Sequence, residues 1–116
     1  MEFLNSKLLE SHLRDFLSLY EAKDLEAISK MLASTVLLRD WNLEVRGKEL
    51  VLAQFAKNFE EAKSMTITVS SVYISSTGAC AEITIVVNKT ESLKVIDVLT
   101  FNSAQQITSI VSYKGL

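Results

Sequence analysis

The sequence predicts an α+β domain in which three N-terminal helices pack against a strongly bent, mostly antiparallel sheet. In the first half of the chain, apolar residues recur at three- and four-residue spacing, which is typical of amphipathic helices. In the second half, apolar and polar residues alternate as they do in half-buried strands. Helices followed by strands indicate α+β rather than a parallel α/β sheet. The alternation slips by one residue at Ser70 and Ser71. Such a slip predicts a β-bulge that bends the sheet, which would then enclose a cone with the helices on its concave side.

The helical half divides into three segments. The first helix is predicted over residues 8–20, and the second begins after Asp24, a residue type that caps helix N-termini. Residues 35–38 predict a strand, and a loop over residues 40–46 leads to Gly47 and the third helix. The residues predicted to face inward are Leu9, Leu13, Phe16, Leu17 and Tyr20 in the first helix, Leu25, Ile28, Met31 and Leu32 in the second, and Leu50, Val51, Phe55 and Phe59 in the third.

The second half predicts a meander of four long antiparallel strands. The first of them carries Met65, Ile67 and Val69 on one face and continues, after the slip, with Val72 and Ile74. A turn at Thr77 and Gly78 separates it from the next strand. The remaining three strands are predicted over residues 79–88, 93–101 and 106–113.

Composition and charge exclude several classes of function. With 116 residues, the chain is expected to form a single domain over residues 1–116. The net charge of −2 and the scattered basic residues predict no nucleic-acid partner. The single cysteine, Cys80, excludes an internal disulfide and is predicted to lie in the core, and the single histidine, His12, excludes paired-histidine zinc motifs. We therefore expect neither a metal nor another cofactor.

The sequence also predicts a cytoplasmic location. Residues 1–4, Met-Glu-Phe-Leu, lack the basic start and long apolar stretch of a secretory signal. No apolar run approaches the roughly 18 residues that a membrane span needs, so no membrane partner is expected.

Asp97 is the first candidate for chemistry. In the strand around it, Val95, Asp97, Leu99 and Phe101 share one face by the two-residue period. A carboxylate on an apolar face is penalised by desolvation, which raises its pKa and keeps it protonated unless a cation or several donors reach it. Strongly perturbed acids are enriched at functional sites. The alternative, which this pattern supports equally well, is an acid at a bulge or rim that pairs with Lys94 or Arg39.

Asp40 and His12 are weaker candidates when each is considered alone. Asp40 ends an apolar run and precedes Trp41, so it is expected at the mouth of the core. Asp is, however, among the commonest turn residues, and the run Asp40-Trp41-Asn42 suits a turn better than a catalyst. His12 lies one turn before Phe16 on the inward side of the first helix, where a lone histidine is more often structural.

Four segments together resemble the ketosteroid isomerase pattern. They are Asp24-Leu25-Glu26-Ala27-Ile28, the run up to Asp40, Arg46-Gly47-Lys48-Glu49, and Val95-Ile96-Asp97-Val98. The same layout is similar to that of the wider SnoaL-like group within the NTF2-like (cystatin-like) superfamily. The resemblance extends over residues 13–113 and implies the cone-shaped fold; the reaction is less constrained, because this fold hosts many functions.

The resemblance implies roles for individual residues. In the isomerases, an acid at the position of Asp40 shuttles a proton between substrate carbons, while a protonated acid at the position of Asp97 and a tyrosine on the first helix hold the oxyanion. Phe16 occupies the tyrosine position and cannot donate a hydrogen bond. Two supporting tyrosines are replaced by Leu32 and Ala56. Losing one oxyanion donor costs about a hundredfold or more in turnover, so we expect weak or no ketosteroid isomerisation.

Three functions remain open from the sequence. The chain is either a divergent isomerase or lyase with Asp40 as base and Asp97 as donor, assisted by His12, or a pocket that binds an apolar ligand without turnover, or a non-catalytic dimerisation scaffold. A homodimer is expected because Ile96 and Val98 place apolar side chains on the face opposite the helices. The residues predicted to line a ligand cavity, besides the two acids and His12, are Phe16, Leu32, Trp41, Phe55, Phe59, Leu99 and Val111.

Overall fold

A computed structural model describes residues 5–115. The first helix, α1 (Ser6–Glu21), begins at Asn5, whose side-chain oxygen accepts the backbone amides of the second and third residues after it at 2.8 and 3.2 Å. Such a cap satisfies amides that have no partner within the helix. Residues 1–4, on which the prediction about a secretory signal depends, lie outside the described residues.

The second and third helices follow closely. The helix α2 (Leu25–Met31) begins at Asp24, whose carboxylate accepts the amide of Ala27 at 3.1 Å, as predicted for an N-cap. The helix α3 (Lys48–Glu61) begins at Gly47, which has φ +99°, a conformation that glycine adopts without strain. No helix within residues 5–115 combines the length and the apolar character required to cross a membrane.

Six strands of the described chain form one mixed sheet. They are β1 (Leu32–Arg39), β2 (Glu44–Arg46), β3 (Met65–Ile74), β4 (Gly78–Val87), β5 (Glu91–Phe101) and β6 (Ile107–Lys114), in the order β2-β1-β6-β5-β4-β3. Neighbouring strands are antiparallel except β1 and β6, which run parallel. The predicted four-stranded antiparallel meander is confirmed as β3 to β6.

The sheet is bent where the sequence predicted a bulge. The pairing of β3 with β4 shifts register between Val69 and Ser71, so the inward-facing parity changes at this point. A second shift occurs between β5 and β6 next to Phe101. The helices pack on one face of this sheet and form the core with it; Leu9, Leu13, Ile28, Val36, Val51, Leu99 and Ile107 are fully buried there. The chain is therefore an α+β cone, as predicted.

The structure corrects four predictions about single residues or segments. Leu50 is 59% exposed because the buried stripe of α3 follows Val51, Phe55 and Phe59 at four-residue spacing, and Leu50 lies off this stripe. Leu32 is buried, but it begins β1 instead of extending α2. Residues 44–46, predicted as loop, form β2, and Cys80 lies on the outer face of the sheet, half-buried, beside Val98.

Candidate functional site

A cavity of about 390 Å³ lies between α1, α3 and the inner face of the sheet. This volume is within the usual range of small-molecule sites, roughly 300–1,000 Å³. Its aromatic lining comes from Phe16 and Tyr20 on α1, Phe55 on α3, and Trp41 in the loop after β1. Both acids singled out in the sequence, Asp40 and Asp97, line this same cavity.

Asp97 is held in the sheet wall of the cavity. Its side chain is 8% exposed, and its cross-strand neighbours are Ala81 on β4 and Ser112 on β6. The Ser112 hydroxyl donates a hydrogen bond to Oδ1 of Asp97 at 2.5 Å. Within residues 5–115, the other carboxyl oxygen has no hydrogen-bond partner in the protein. Asp97 therefore offers one oxygen to the cavity.

Burial raises the pKa of Asp97 from 3.8 to about 6, and the Ser112 hydrogen bond partly opposes this shift. The predicted direction is thus confirmed, but the expectation of a largely protonated Asp97 at neutral pH is wrong. A pKa of about 6 places the protonated form mainly below pH 6. The hydrogen bond from the Ser112 hydroxyl, which the sequence pattern of the strand does not reveal, stabilises the buried carboxylate and limits the rise in its pKa.

The ion-pair alternative for Asp97 is not found among the described residues. Lys94 donates instead to the Thr84 hydroxyl at 2.7 Å, and Arg39 approaches Glu44 at 3.9 Å. Lys94 lies three residues before Asp97 and therefore on the opposite face of β5. Among the residues that the structure describes, Asp97 is accordingly a buried acid without a cationic partner.

Asp40 forms a turn and also lines the cavity. Its Oδ1 accepts the backbone amides of Asn42 at 2.7 Å and Leu43 at 3.0 Å, the pattern of an Asx turn. The turn function that the sequence favoured is therefore correct. It does not exclude a second function, because one carboxylate oxygen remains outside these bonds and the residue faces the cavity.

Tyr20 and Asn58 are polar residues of the cavity that sequence reasoning did not single out. Nδ2 of Asn58 donates to the Tyr20 hydroxyl oxygen at 3.0 Å, and Nε2 of Gln54 donates to Oδ1 of Asn58 at 2.9 Å. Burial above all raises the pKa of Tyr20 to about 12; the hydrogen bond from Asn58 opposes this shift, and the charges of Asp97 and Asp40 contribute to it. The helical periodicity had placed Tyr20 inward, and a buried tyrosine needs a partner for its hydroxyl. That requirement was the signal that could have identified it.

An aromatic cluster fixes the ring of Tyr20. Its centroid lies 4.7 Å from that of Phe59 and 5.2 Å from that of Phe55, both in edge-on orientations, and 6.0 Å from that of Phe16. Edge-to-face pairs at these distances are favourable beyond the area that they bury. The ring is therefore held from three sides.

Trp41 stands at the mouth of the cavity. Its side chain is 43% exposed, and Nζ of Lys114 lies 5.8 Å from its ring centroid, within cation–π range. The exposed position follows from the Asp40 turn, which carries Trp41 out of the strand direction of β1.

Five predicted binding residues lie away from the cavity. His12 is on the other side of α1, where its Nε2 is 3.1 Å from Oε1 of Gln105 and its ring packs against that of Phe101. Val111 faces outward because it pairs with Val98, which alternates with inward-facing Asp97. The other three are core residues that do not reach the cavity: Leu32, Phe59 and Leu99.

The acids of the cavity do not form a metal site within the part of the chain that the structure describes. Within the described range 5–115, no group of three or more His, Cys, Asp or Glu side chains is arranged to hold a metal ion.

Comparisons with known proteins support the fold strongly. The model of the SnoaL-like domain family matches residues 13–110. No curated protein is significantly similar in sequence. Among solved structures, the chain is similar to a SnoaL-like protein of unknown function from Burkholderia thailandensis, with TM-score 0.86, 12% identity, and coverage of 97% of this chain and 99% of that one.

Two further structures are similar to the chain. A protein of unknown function with a cystatin-like fold from Methylobium petroleophilum has TM-score 0.85 at 15% identity, over 99% of this chain and 80% of that one. SalBIII, an epoxide hydrolase/cyclase-like enzyme in pyran ring formation in the polyether salinomycin, has TM-score 0.84 at 13% identity, over 97% and 94%. At these identities the likeness concerns the fold.

Proposed function

The chain belongs to the SnoaL-like domain family, and on that premise we propose that its cavity binds a small, largely apolar molecule bearing a carbonyl, phenolate or enol oxygen. Asp97 in its protonated form donates a hydrogen bond to that oxygen, and Asp40 is the base of a divergent isomerase, cyclase or dehydratase. The family match supports a role in ligand binding or isomerisation at this coarser level.

The observation that carries the proposal is the shared cavity of the two acids. Asp40 and Asp97 line one space whose remaining walls are largely aromatic and aliphatic. Such walls favour apolar ligands by about 25 cal/mol per Å² of buried surface, while a few polar groups orient them. A scaffold without a ligand is instead expected to have a collapsed interior filled by Trp41 and the phenylalanines.

The chemistry follows from the roles proposed for the two acids. The Asp40 carboxylate takes a proton from the carbon next to the ligand's carbonyl group, and the electron pair moves onto the carbonyl oxygen. Protonated Asp97 donates a hydrogen bond to the resulting enolate oxygen. Asp40 then returns the proton to another carbon, which gives an isomer, or the enolate expels a leaving group, which gives an elimination product.

The charge of the lining favours neutral ligands over anions. The ionisable residues of the lining other than Tyr20 are acids, namely Asp40, Glu61, Glu91 and Asp97, and no described lysine or arginine lines the cavity. Phosphorylated ligands are therefore disfavoured by repulsion and by the absence of a cationic partner.

A matched pair of probes tests the proposal. Acetophenone and ethylbenzene differ in the carbonyl oxygen, and the chain's single tryptophan, Trp41, reports binding at the cavity mouth by fluorescence. Acetophenone should bind at least about tenfold more tightly near pH 5 than near pH 8, because only the protonated fraction of Asp97 can donate. Ethylbenzene should bind with the same affinity at both pH values.

Two variants serve as controls for this experiment. Asp97→Leu should abolish the pH dependence and the preference for the ketone while ethylbenzene still binds. Asp15→Asn, at an exposed position of α1, should change neither. Failure of both probes to bind at either pH would remove the support for a ligand cavity and leave the scaffold function.

A homodimer is the second part of the proposal. On the outer face of the sheet, Tyr73, Cys80, Val98 and Val111 are successive cross-strand neighbours on β3, β4, β5 and β6. Tyr73 is 58% exposed, and in the adjoining row Tyr113 is 54% exposed. The helices cover only the inner face, so a second copy of the chain is proposed to cover this apolar outer row.

A further inference from the structure

We infer that the Tyr20 hydroxyl, on the helical wall of the cavity, is a second hydrogen-bonding site (the second station, Asp97 being the first) and binds a second oxygen of the ligand. Asn58 and Gln54 position this hydroxyl for the contact. The inference rests on the proposed function and deepens it. It specifies a ligand with two oxygen functions, one contacting Asp97 and one contacting Tyr20.

The direction of the Tyr20 proton follows from the hydrogen bonds of Asn58. Because Gln54 donates to Oδ1 of Asn58 at 2.9 Å, the amide of Asn58 presents Nδ2 to Tyr20. Nδ2 donates to the Tyr20 oxygen at 3.0 Å, so Tyr20 is the acceptor in this bond. Within residues 5–115, no protein atom accepts the Tyr20 proton. That proton is therefore available to a ligand.

The station is rigid and remains protonated. The Tyr20 ring is held by Phe16, Phe55 and Phe59, which leaves its hydroxyl little freedom to move away. With a pKa of about 12, raised by burial, Tyr20 stays a donor throughout the range in which Asp97 titrates. A preorganised donor of this kind binds an acceptor without the entropic cost of ordering a mobile side chain.

The two stations are separate hydrogen-bond systems. Asp97 is paired with Ser112 within the sheet, whereas Tyr20 is paired with Asn58 across two helices. No hydrogen bond joins the two pairs within residues 5–115. A ligand between the helical wall and the sheet wall is thus offered one polar contact from each side, and an apolar molecule with a single oxygen satisfies only one of them.

The experiment compares probes that carry one or two oxygens. Ethylbenzene, acetophenone and the meta and para isomers of diacetylbenzene are titrated near pH 5 into the unmodified chain and into Tyr20→Phe. At least one diacetylbenzene isomer should bind the unmodified chain more tightly than acetophenone. Tyr20→Phe should weaken that isomer by about tenfold, the usual effect of losing one such hydrogen bond, and acetophenone by less than about twofold.

The role of Asn58 is tested by coupling. Asn58→Leu should weaken the same diacetylbenzene isomer by about threefold, and the double variant with Tyr20→Phe should be no weaker than Tyr20→Phe alone, because Asn58 acts through the tyrosine. Ser11→Ala removes a hydroxyl from the exposed side of α1 and serves as the control. Ethylbenzene binding verifies that each variant keeps an intact cavity.

Each contrary result would overturn a defined part of the inference or of the proposed function. If Tyr20→Phe leaves every probe unchanged, or if neither isomer exceeds acetophenone, the second station does not exist. If Tyr20→Phe weakened the binding of acetophenone and of diacetylbenzene equally, Asp97 and Tyr20 would both donate to the same ligand oxygen. Additive losses in the double variant would remove Asn58 as a positioning residue. The absence of any acetophenone or ethylbenzene binding would contradict the proposed function instead.

Discussion

At the scale of single residues, Asp97 combines two opposing influences. Its place on the inner face of β5 removes its carboxyl group from water, which disfavours the charged form. The Ser112 hydroxyl restores part of the lost solvation. The result is an acid whose pKa of about 6 lies within the physiological range, so that small changes in its surroundings change its charge.

Asp97→Asn should change how stability depends on pH. Because the folded pKa is about 6 and the unfolded value is 3.8, Asp97 stabilises the folded state most below pH 4, and this contribution is lost as pH rises through 6. The free energy of unfolding of Asp97→Asn, relative to the unmodified chain, should therefore rise by about 2 kcal/mol between pH 4 and pH 7.

Urea denaturation at several pH values measures this difference. Asp15→Asn, exposed on α1, should show a change within about 0.5 kcal/mol at every pH and is the control. A loss of about 3–5 kcal/mol for Asp97→Asn at neutral pH would instead indicate a buried ion pair that the described contacts do not contain.

How far single residues could be predicted depended on the range of the interaction. The inward position of Asp97 follows from two-residue alternation, which is local, and the turn at Asp40 follows from its neighbours. The pairing of Tyr20 with Asn58 joins α1 to α3 and has no signature in either segment. Val111 was misplaced because the register of β6 against β5 shifts beside Phe101. A one-residue shift of that kind moves a side chain to the other face.

At the scale of elements, α1 is attached to the edge of the sheet by one side chain. Oε2 of Glu21, the last residue of α1, accepts the backbone amide of Ile67 on β3 at 2.7 Å. As β3 is the last strand of the sheet order, this amide has no strand partner on that side within residues 5–115. The carboxylate therefore satisfies a donor that would otherwise be exposed on an open edge.

Glu21→Ala should destabilise the fold by about 1–3 kcal/mol, because it leaves the partly buried amide of Ile67 without an acceptor. Glu21→Gln retains an acceptor oxygen and should cost less. Glu10→Ala removes an exposed ion pair with Arg14 on the same helix and should change the free energy of unfolding by no more than about 0.5 kcal/mol. Thermal unfolding of the three variants provides the measurement. If Glu21→Ala were as mild as Glu10→Ala, the link between α1 and β3 would contribute nothing to stability.

The elements were predictable where their pattern was long. The helices α1 and α3 and the four strands of the meander each carry several periods of apolar spacing. The strand β2 has only three residues, of which only Val45 is apolar, so no periodicity can reveal it. It forms because β1 offers it an edge, with Leu38 opposite Val45. Its existence is a property of the tertiary structure.

At the scale of the whole molecule, the two faces of the sheet differ in what covers them. The inner face carries the helices and the cavity, and the outer face presents the half-buried residues Val98 and Val111 between two exposed tyrosines, Tyr73 and Tyr113. The proposed ligand binding and the proposed self-association thus involve opposite faces, so that a change in one need not disturb the other.

Sedimentation at micromolar concentration should show a homodimer. Val98→Lys places a charge in the middle of the outer row and should shift the equilibrium to the monomer, because an unpaired charge is costly to bury in an interface. Ala53→Lys, on the exposed side of α3, should leave the dimer intact. A monomer for the unmodified chain under these conditions would refute the dimer. Retention of the dimer in Val98→Lys would mean that another surface mediates it.

The parallel contact between β1 and β6 has a consequence for how the chain acquires its structure. Leu38 pairs with Ile110, so two segments far apart in the sequence are neighbours in the sheet. The meander from β3 to β6 can assemble from neighbouring hairpins, but β1 must wait for β6, which leaves the ribosome much later. Distant pairings of this kind slow folding and prolong the exposure of apolar surface. During synthesis, the nascent N-terminal half is therefore the part of the chain that most needs protection by chaperones.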